Sequence, residues 1–270
     1  MSDWIGYERQ AEDVVSPRLV AEFRVTLGNI QSTSGDLLGL EWCLSPDIFP
    51  AEQLGRDSHP RLGLVLPDLG LPRRMWAGGE ISMHSRITEG DKIRRTSTIR
   101  NIRFKEGRSG RLAFVTVDHH HSTESELRLS ETQNIVYREE TDDRTPKVHP
   151  PQADPWPQAE RRGVETSPTL LFRFSALTFN GHRIHYDLPY ATNVEGYGGL
   201  VVHGPLQSIW MQHLARDILK RTPRTFTYRG LSPLICNRKA SVEARKTENG
   251  LELRVRDLEA NVVTMIATAI

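Results

Sequence analysis

The sequence predicts an α+β fold in which each of two halves combines a helix with an antiparallel sheet. Two helix starts, at Ser16-Pro17 and at Pro205, are each followed by several strand-like runs. Short polar turns join neighbouring runs, which is typical of antiparallel hairpins. An amphipathic helix and a half-buried sheet each need an apolar partner, so helices on one face of each sheet satisfy both. The repeated order suggests a duplication, although the two halves share no visible sequence similarity.

The first half begins with a helix. Ser16 can cap it, Pro17 suits its first position, and Gly28 can end it. Between them one apolar stripe follows the helical period: Leu19, Val20, Phe23 and Leu27. Four strand-like runs come next, the second and third joined by a hairpin turn at 106–110: Gly79–Ser85, Lys92–Phe104, Leu112–His119 and Leu127–Tyr137.

The second half repeats this order. The predicted helix Pro205–Arg221 carries an apolar face formed by Leu206, Ile209, Trp210, Leu214 and Ile218. Residues 240–245 and 251–256 then alternate between apolar and polar side chains around Asn249-Gly250, which predicts a hairpin with one exposed face. The final apolar run, Val262–Ile270, predicts a buried strand.

The clearest boundary is the segment from Thr141 to Pro168. It contains six prolines among charged residues and shows no apolar periodicity. This composition is typical of an extended connection and not of a packed element. We therefore expect an N-terminal domain over residues 1–140, a linker over 141–168 and a C-terminal domain over 169–270.

Composition narrows the class of protein. The 270 residues include 35 basic and 34 acidic side chains, and neither half carries a strong basic field, so nucleic acid is not expected as a partner. Cys43 and Cys236 lie far apart without metal-ligand spacing, which favours a reducing compartment. No apolar run approaches the roughly eighteen residues of a membrane span, and the N-terminus shows no secretory pattern. A soluble cytoplasmic protein without membrane contact is expected.

The segment from Asn180 to Asp187 concentrates groups that can take part in chemistry. Two imidazoles, a carboxamide and a carboxylate lie within these eight residues. In a turn or short helix, His182 could share a face with either His185 or Tyr186. Histidine is the natural acid or base near neutral pH. Either histidine alone could be a buried structural side chain, but the clustering favours a catalytic role for at least one of them.

A second candidate is His203-Gly204-Pro205, at the predicted start of the long helix. Backbone N–H groups at a helix start have no partner within the helix, and Gly204 has no side chain to keep a substrate oxygen away. Such an N–H can stabilise a developing negative charge, so together with a histidine it suits proton chemistry beside a carbonyl or thioester. An ordinary helix cap is the alternative.

Three other motifs are less specific. His119-His120-His121 has the composition of a metal-binding tract, but neighbours on a strand point to opposite faces, so no metal site is predicted there. Asp57-Ser58-His59 contains residue types of a hydrolytic triad without a nucleophile-elbow pattern, and we assign it no role. Arg73 and Arg74 could bind a phosphate or a carboxylate, or be solvated at the surface.

The segments Phe174–Asp187 and Gly199–Leu206 resemble the MaoC-like, hot-dog-fold hydratases and dehydratases that act on acyl thioesters. The resemblance is greatest to hydroxyacyl-thioester dehydratase type 2, the branch that includes mesaconyl-CoA and itaconyl-CoA hydratases. Leu71–Gly79 is similar to the N-terminal domain of that branch, so the likeness covers nearly the whole chain. It implies a double hot-dog, in which each sheet wraps around a central helix and the N-terminal half lacks the catalytic motif.

The same resemblance implies roles for particular residues. His185 takes the place of the family's catalytic histidine, and Gly204, preceded by His203, that of the glycine whose N–H polarises the thioester carbonyl. Asn180 stands where (R)-specific enoyl-CoA hydratases have an aspartate, and an asparagine cannot accept a proton. Either His185 works alone while Asn180 positions water, or another carboxylate such as Asp187 assists it.

The leading hypothesis is therefore the reversible hydration of an enoyl-CoA thioester, short or methyl-branched and dicarboxylic, without a metal or redox cofactor. A hot-dog thioesterase and a non-catalytic acyl-thioester-binding module are the alternatives. A homodimer is expected, since double hot-dogs commonly pair with themselves. The residues expected to contact the substrate are His182, Tyr186, Asp187, His203 and, for a substrate carboxylate, Arg73 or Arg74.

Overall fold

The computed structural model describes residues 2–107, 110–140 and 152–270. Parts of the predicted hairpin turn (108–109) and of the predicted linker (141–151) lie outside these ranges. The N-terminal half contains α1 (Pro17–Leu27), β1 (Glu8–Val14), β2 (Arg73–Met83), β3 (Lys92–Gly107), β4 (Gly110–Ser122) and β5 (Leu127–Arg138). The C-terminal half contains β6 (Glu160–Glu165), α2 (Pro168–Leu177), α3 (Gly204–Leu219), β7 (Thr225–Gly230), β8 (Lys239–Thr247), β9 (Gly250–Asp257) and β10 (Val262–Ala269).

One sheet contains all ten of these strands, in the order β1-β3-β4-β5-β2-β7-β10-β9-β8-β6. Each neighbouring pair is antiparallel. The two halves meet at the β2–β7 pair, where Gly78 lies opposite Arg229 and Ser82 lies opposite Thr225. Backbone hydrogen bonds thus continue across the junction, so neither half has a free inner edge.

The helix α3 is the central helix of the C-terminal half. It packs against β7, β8, β9 and β10, and every residue from Leu206 to Ala215 is buried. The predicted helix is confirmed, but burial on all sides includes polar side chains that an amphipathic pattern places in solvent. Gln207, for example, accepts a hydrogen bond from Thr264 Oγ1 at 2.7 Å. Within the three described ranges, no helix combines the length and apolar character needed to cross a bilayer.

The helix α1 begins and ends at the residues that its caps predict. Ser16 Oγ accepts a hydrogen bond from the Leu19 N–H at 3.2 Å, and Gly28 follows the last turn with a φ of 57°. The helix packs on α2. The buried side chains of α1 are Val20, Phe23 and Leu27. They belong to the main core, which also contains residues of α3 and of both halves of the sheet.

Three strands, β1, β6 and β7, have no counterpart among the predicted runs. The first two lie at the ends of the sheet, and β1 contains no buried residue, so its sequence lacks an apolar pattern. Strand β6 lies within the predicted linker and pairs with β8 from Glu160–Ala244 to Glu165–Lys239. The extended connection therefore ends before residue 160, because ladder hydrogen bonds order a segment that shows little periodicity.

The hairpin of β8 and β9 is buried on both faces at its centre, which corrects the prediction of one exposed face. Glu243 has an exposure of 0% and Arg254 of 4%, and the two side chains pair at 2.7 Å. Residues 152–159 return along this side of the sheet, with the Ala153 N–H donating to the Asn261 carbonyl at 3.2 Å. Trp156 covers the Arg254 guanidinium at 4.1 Å from its ring centroid.

Candidate active site

Four imidazoles form a row where the two halves meet. The ring centroids of His59 and His182 are 4.3 Å apart, those of His182 and His185 are 5.4 Å apart, and those of His185 and His203 are 3.5 Å apart. His59 belongs to the N-terminal half, and the other three belong to the C-terminal half. We call these four residues the histidine row. The structure thus brings together three of the predicted site histidines.

His185 lies inside the row and is oriented by the backbone. Its Nδ1 is 2.7 Å from the Val201 carbonyl oxygen. A carbonyl can only accept, so Nδ1 carries the proton and Nε2 carries a lone pair. The residue is 6% exposed, and burial together with the neighbouring His182 lowers its pKa to about 3. A neutral imidazole with a free lone pair is the form that a general base requires.

His203 is the residue before α3, and its ring stacks on His185 with an interplanar angle of 17°. Its Nε2 pairs with the Ser175 hydroxyl at 2.9 Å, and Phe174 contacts it edge-on. Burial holds the pKa of His203 well below its usual value, so this ring is neutral as well. Ser175 is a partner that the sequence reasoning missed, and its one signal is its place in the motif that begins at Phe174.

Gly204 is the first residue of α3 and follows His203 directly. Within the described part of the chain, no group accepts a hydrogen bond from its N–H. A Cβ at this position would lie 2.6 Å and 2.8 Å from two ring atoms of Trp76. Glycine therefore allows β2 and the start of α3 to approach closely, and its amide remains available next to the stacked histidines.

Asn180 shapes the turn that carries His182. Its Oδ1 accepts a hydrogen bond from the His182 N–H at 2.9 Å, and its own N–H donates to the Ser175 carbonyl at 2.8 Å. Asn180 can therefore orient the loop, but the oxygen that would correspond to the family's carboxylate is already engaged.

Tyr186 and Asp187 lie beside the histidine row and not in it. Tyr186 is 48% exposed. The two carboxylate oxygens of Asp187 pair with Arg183 at 2.7 Å and with the Tyr190 N–H at 3.1 Å. The hydrogen bond from Arg183 holds the pKa of Asp187 below its usual range. Of the two alternatives, these contacts favour the one in which Asp187 does not assist His185, because both of its oxygens already stabilise the local turn.

Arg73 and Arg74, the candidates for a substrate carboxylate, are both engaged with protein groups. Arg73 pairs with Glu195, and both side chains are largely buried. Arg74 donates to the Pro60 carbonyl at 2.9 Å and lies 3.8 Å from Asp57. Adjacent arginines on a strand are typical of surface or ligand-binding residues, but here both side chains bind groups of neighbouring loops.

The sequence reasoning missed a third arginine, Arg138, which differs from Arg73 and Arg74 in its pairing. Within the described ranges its guanidinium has no carboxylate partner, and its Nε is buried without a hydrogen bond. It lines the same small cavity as His182 and Tyr197. Burial, followed by the charge of Arg73, lowers the pKa of Arg138, and the charge of Glu195 opposes this shift only in part.

Asp57 and His59 also belong to the site, although their motif predicted no role. His59 Nδ1 lies 3.0 Å from Asp57 Oδ2. Burial raises the pKa of Asp57, but the His59 hydrogen bond and the Arg74 charge outweigh it and hold the pKa well below its usual range. With His182, these residues are the one group in the described chain whose ligand atoms could hold a metal ion. No local pattern reveals them, because His182 lies far along the chain.

The tract His119–His121 behaves as its strand position predicts. His120 is exposed, whereas His121 is 2% exposed and His119 pairs with Ser97 Oγ at 2.7 Å. Alternation along β4 thus separates the middle ring from its neighbours.

A cavity of about 690 Å³ opens at the opposite end of α3 from the histidine row. Arg86, Arg216 and Lys220 are among its lining residues, and none of the four histidines is. Since α3 has 16 residues, its two ends are separated by about 24 Å. We therefore place the candidate chemistry at the start of α3, where base and amide lie together, and not in the larger cavity.

Comparison with known proteins identifies the family of the chain. The family model of hydroxyacyl-thioester dehydratase type 2 matches residues 39–236. Mesaconyl-C(4)-CoA hydratase of Chloroflexus aurantiacus is 42% identical over 235 residues, which is 86% of this chain and 84% of that protein.

Two solved structures from Mycobacterium tuberculosis share the fold. HtdX superposes with a TM-score of 0.67 at 18% identity, covering 97% of this chain and 99% of that one. A second protein, described as a double hotdog, superposes with a TM-score of 0.56 at 15% identity, covering 98% of this chain and 96% of that one. The predicted double hot-dog is confirmed.

The resemblance predicted from Phe174–Asp187 and Leu71–Gly79 is thus confirmed by a family match over most of the chain and by a relative that is 42% identical. Dehydratases of this kind are hydro-lyases, enzymes that add water to a carbon–carbon double bond or remove it. The chain belongs to the hydroxyacyl-thioester dehydratase type 2 family and is a double hot-dog hydro-lyase.

Proposed function

We propose that this protein hydrates an enoyl-CoA thioester reversibly, with His185 as the general acid and base and the Gly204 N–H as the oxyanion donor. One observation carries the proposal: a neutral imidazole stacks on the residue that precedes a helix-start amide, and neither its Nε2 nor that amide has a hydrogen-bond partner among the described residues. The family determines the class of reaction, and this arrangement supports the assignment of roles.

The proposed step uses these two groups together. Water attacks C3 of the enoyl thioester, and the electron pair of the double bond moves toward the carbonyl oxygen. His185 Nε2 accepts the proton of the water and then delivers a proton to C2, so atoms and charge balance. The Gly204 N–H stabilises the negative oxygen, and such a donor typically contributes about 3 kcal/mol. The Val201 carbonyl, 2.7 Å from Nδ1, stabilises the imidazolium that forms in between.

We propose a short dicarboxylic thioester of the mesaconyl or itaconyl type as the substrate. The support is the 42% identity to a mesaconyl-C(4)-CoA hydratase and the guanidinium of Arg138, which has no carboxylate partner in the described part of the chain. A half-buried guanidinium is a suitable partner for the free carboxylate of such a substrate. Arg138→Met should therefore raise KM for mesaconyl-CoA more than tenfold and leave KM for crotonyl-CoA within threefold.

We also propose that hydration needs no metal or redox cofactor, because His185 provides both proton transfers. The homodimer and the cytoplasmic location stay predictions of the same hypothesis. The metal content of the purified active protein would check the absence of a metal, and its sedimentation mass would check the homodimer. A bound metal whose removal abolishes hydration, or a monomer at working concentration, would contradict them.

The test supplies crotonyl-CoA and mesaconyl-CoA and follows both the absorbance of the conjugated thioester and the release of free thiol. Loss of absorbance without thiol is expected. Thiol release would instead show a thioesterase, and binding without either change would show a non-catalytic module. His185→Gln should abolish hydration and retain the fold. His120→Gln, at an exposed position of β4, is the matched control and should keep the normal rate.

A further inference from the structure

We propose that Asp57 and His59, from the N-terminal half, are positioning residues for the hydration step and act on His185 through His182. This inference rests on the proposed function. It assigns to the N-terminal half the carboxylate that position 180 lacks, since Asn180 cannot carry a charge and Asp187 is engaged with Arg183. The active site then needs both halves of the chain.

The loop that carries the pair is held in one conformation. The Gly55 N–H donates to the His59 carbonyl at 2.7 Å, the Ser58 N–H donates to the Gly55 carbonyl at 2.9 Å, and Leu54 and Pro60 form a bridge across its base. Ser58 has a φ of 64°, a left-handed value that residues with a side chain rarely adopt. Such a conformation persists only where the surroundings determine it strongly.

The same loop is docked onto the turn that carries His182. The Arg183 N–H donates to the Asp57 carbonyl at 3.1 Å. A Cβ on Gly181 would lie 3.0 Å from the Ser58 carbonyl oxygen, so the absence of a side chain allows the two backbones to approach. A backbone hydrogen bond and a close backbone contact therefore join the N-terminal loop to the segment of the proposed catalytic histidine.

The side chains continue this connection toward the reacting centre. Asp57 Oδ2 pairs with His59 Nδ1 at 3.0 Å, which orients the ring as a carboxylate orients histidine in many catalytic pairs. The His59 ring lies 4.3 Å from that of His182, and the His182 ring lies 5.4 Å from that of His185. Asp57 is therefore two rings removed from His185.

A negative group is needed because proton transfer creates charge in a buried place. When His185 accepts a proton, an imidazolium forms at a residue with 6% exposure, and burial disfavours it strongly. The charged and titratable groups that act on His182 and His185 are each other, His59, Asp57, Arg74 and His203. Asp57 is the only anion among these groups, and it favours the protonated form of His182 while Arg74 opposes it.

Metal binding by Asp57, His59 and His182 is the competing interpretation of the same cluster. Two contacts favour the positioning role. The Asp57 carboxylate already binds His59, and the Arg74 guanidinium lies 3.8 Å from the same carboxylate oxygen. A cation at this point would have to displace the hydrogen bond and share the oxygen with a second positive charge.

The experiment measures enoyl-CoA hydration by Asp57→Asn, Asp57→Glu and the wild type. Asp91→Asn is the control, since Asp91 is a similarly buried carboxylate paired with an arginine, with side-chain exposures of 13% for Asp91 and 20% for Asp57. We expect Asp57→Asn to lower kcat by tenfold to a hundredfold with KM within threefold, and Asp57→Glu to recover part of the loss. Asp91→Asn should stay within twofold of the wild type.

Two further measurements keep the inference falsifiable. Should Asp57→Asn fail to fold, His59→Gln provides a second variant with the same expected loss of kcat. Added to His59→Gln, which keeps a measurable rate, Asp57→Asn should cause no further loss of kcat, because Asp57 acts through the His59 ring that it orients. A normal kcat in Asp57→Asn and His59→Gln, a further loss in the double variant, or stoichiometric metal that Asp57→Asn loses would overturn the positioning role. Equal rates for the wild type and His185→Gln would instead overturn the proposed function itself.

Discussion

Substitution of Gly204 by alanine probes the contact on which the proposed oxyanion donor depends. An added Cβ would lie 2.6 Å and 2.8 Å from the Trp76 ring and 3.7 Å from the Met265 methyl group. Carbon atoms in contact prefer separations of about 3.5–4.0 Å, so the start of α3 and the indole must separate by about 1 Å. Trp76 has little freedom to move, because it stacks on Tyr228 at 4.6 Å and meets Trp42 edge-on at 5.8 Å.

The sign of the effect separates crowding from backbone preference. In an open helix, replacing glycine by alanine would stabilise the protein by up to about 1 kcal/mol. Overpacking costs about 1–3 kcal/mol, so Gly204→Ala should lower the free energy of unfolding by about that amount. A displacement of 1 Å at a catalytic donor typically costs about a hundredfold in rate, so kcat for hydration should fall by a similar factor.

Urea unfolding and hydration of mesaconyl-CoA provide the two measurements. Gly163→Ala is the control, since no atom lies within 4 Å of a Cβ at that position of β6. Trp76→Leu added to Gly204→Ala should recover part of the lost stability by making room for the methyl group. A Gly204→Ala variant at least as stable as the wild type, with a rate within twofold, would refute the reasoning.

Three further substitutions test buried polar contacts. Burial and the charge of Glu131 raise the pKa of Glu41 from 4.5 to about 8, so the folded protein keeps a proton that the unfolded chain releases. The contribution of protonated Glu41 to stability is complete below pH 4.5 and is lost as pH rises toward 8. Glu41→Gln should therefore flatten the decline of the urea unfolding midpoint between pH 5 and pH 8. Glu243→Leu leaves Arg254 buried without its carboxylate, so the free energy of unfolding should fall by about 3–5 kcal/mol in the same assay. An unchanged urea midpoint would contradict a structural ion pair. Ser175→Ala removes the partner of His203 and should cost about 1–3 kcal/mol, measured by thermal unfolding alongside kcat.

Local signals predicted much of the fold. The cap at Ser16 and the stop at Gly28 identify α1, and alternating runs identify β3, β4, β5 and the β8–β9 hairpin, because each signal acts within one element. Strand β1 escapes prediction because an edge strand with no buried residue has no apolar pattern. The burial of Arg254 escapes it because its cover, the Trp156 ring, is distant in the chain.

Local motifs also predicted part of the candidate site. His185 and Gly204 lie in motifs that are recognisable in the sequence, because a turn and a helix start are each formed by neighbouring residues. Asp57 and His59 stand in no such motif, and the hydrogen bond from Arg183 that docks their loop joins two halves of the chain. The residues predicted as ligand contacts at 73 and 74 proved to be engaged with protein groups.

The sequence by itself determined the family, the double hot-dog class and the two residues proposed to carry the chemistry, since these depend on patterns within short segments. Only the tertiary structure decided which charges are free and which are paired. The association of Asp57 with His182, and the place of Arg138 beside His182 in one cavity, follow from contacts between segments that no local pattern links. Such contacts depend on how strands β2 and β7 join the two halves, and hydrogen bonds across a sheet leave no periodic trace in either partner.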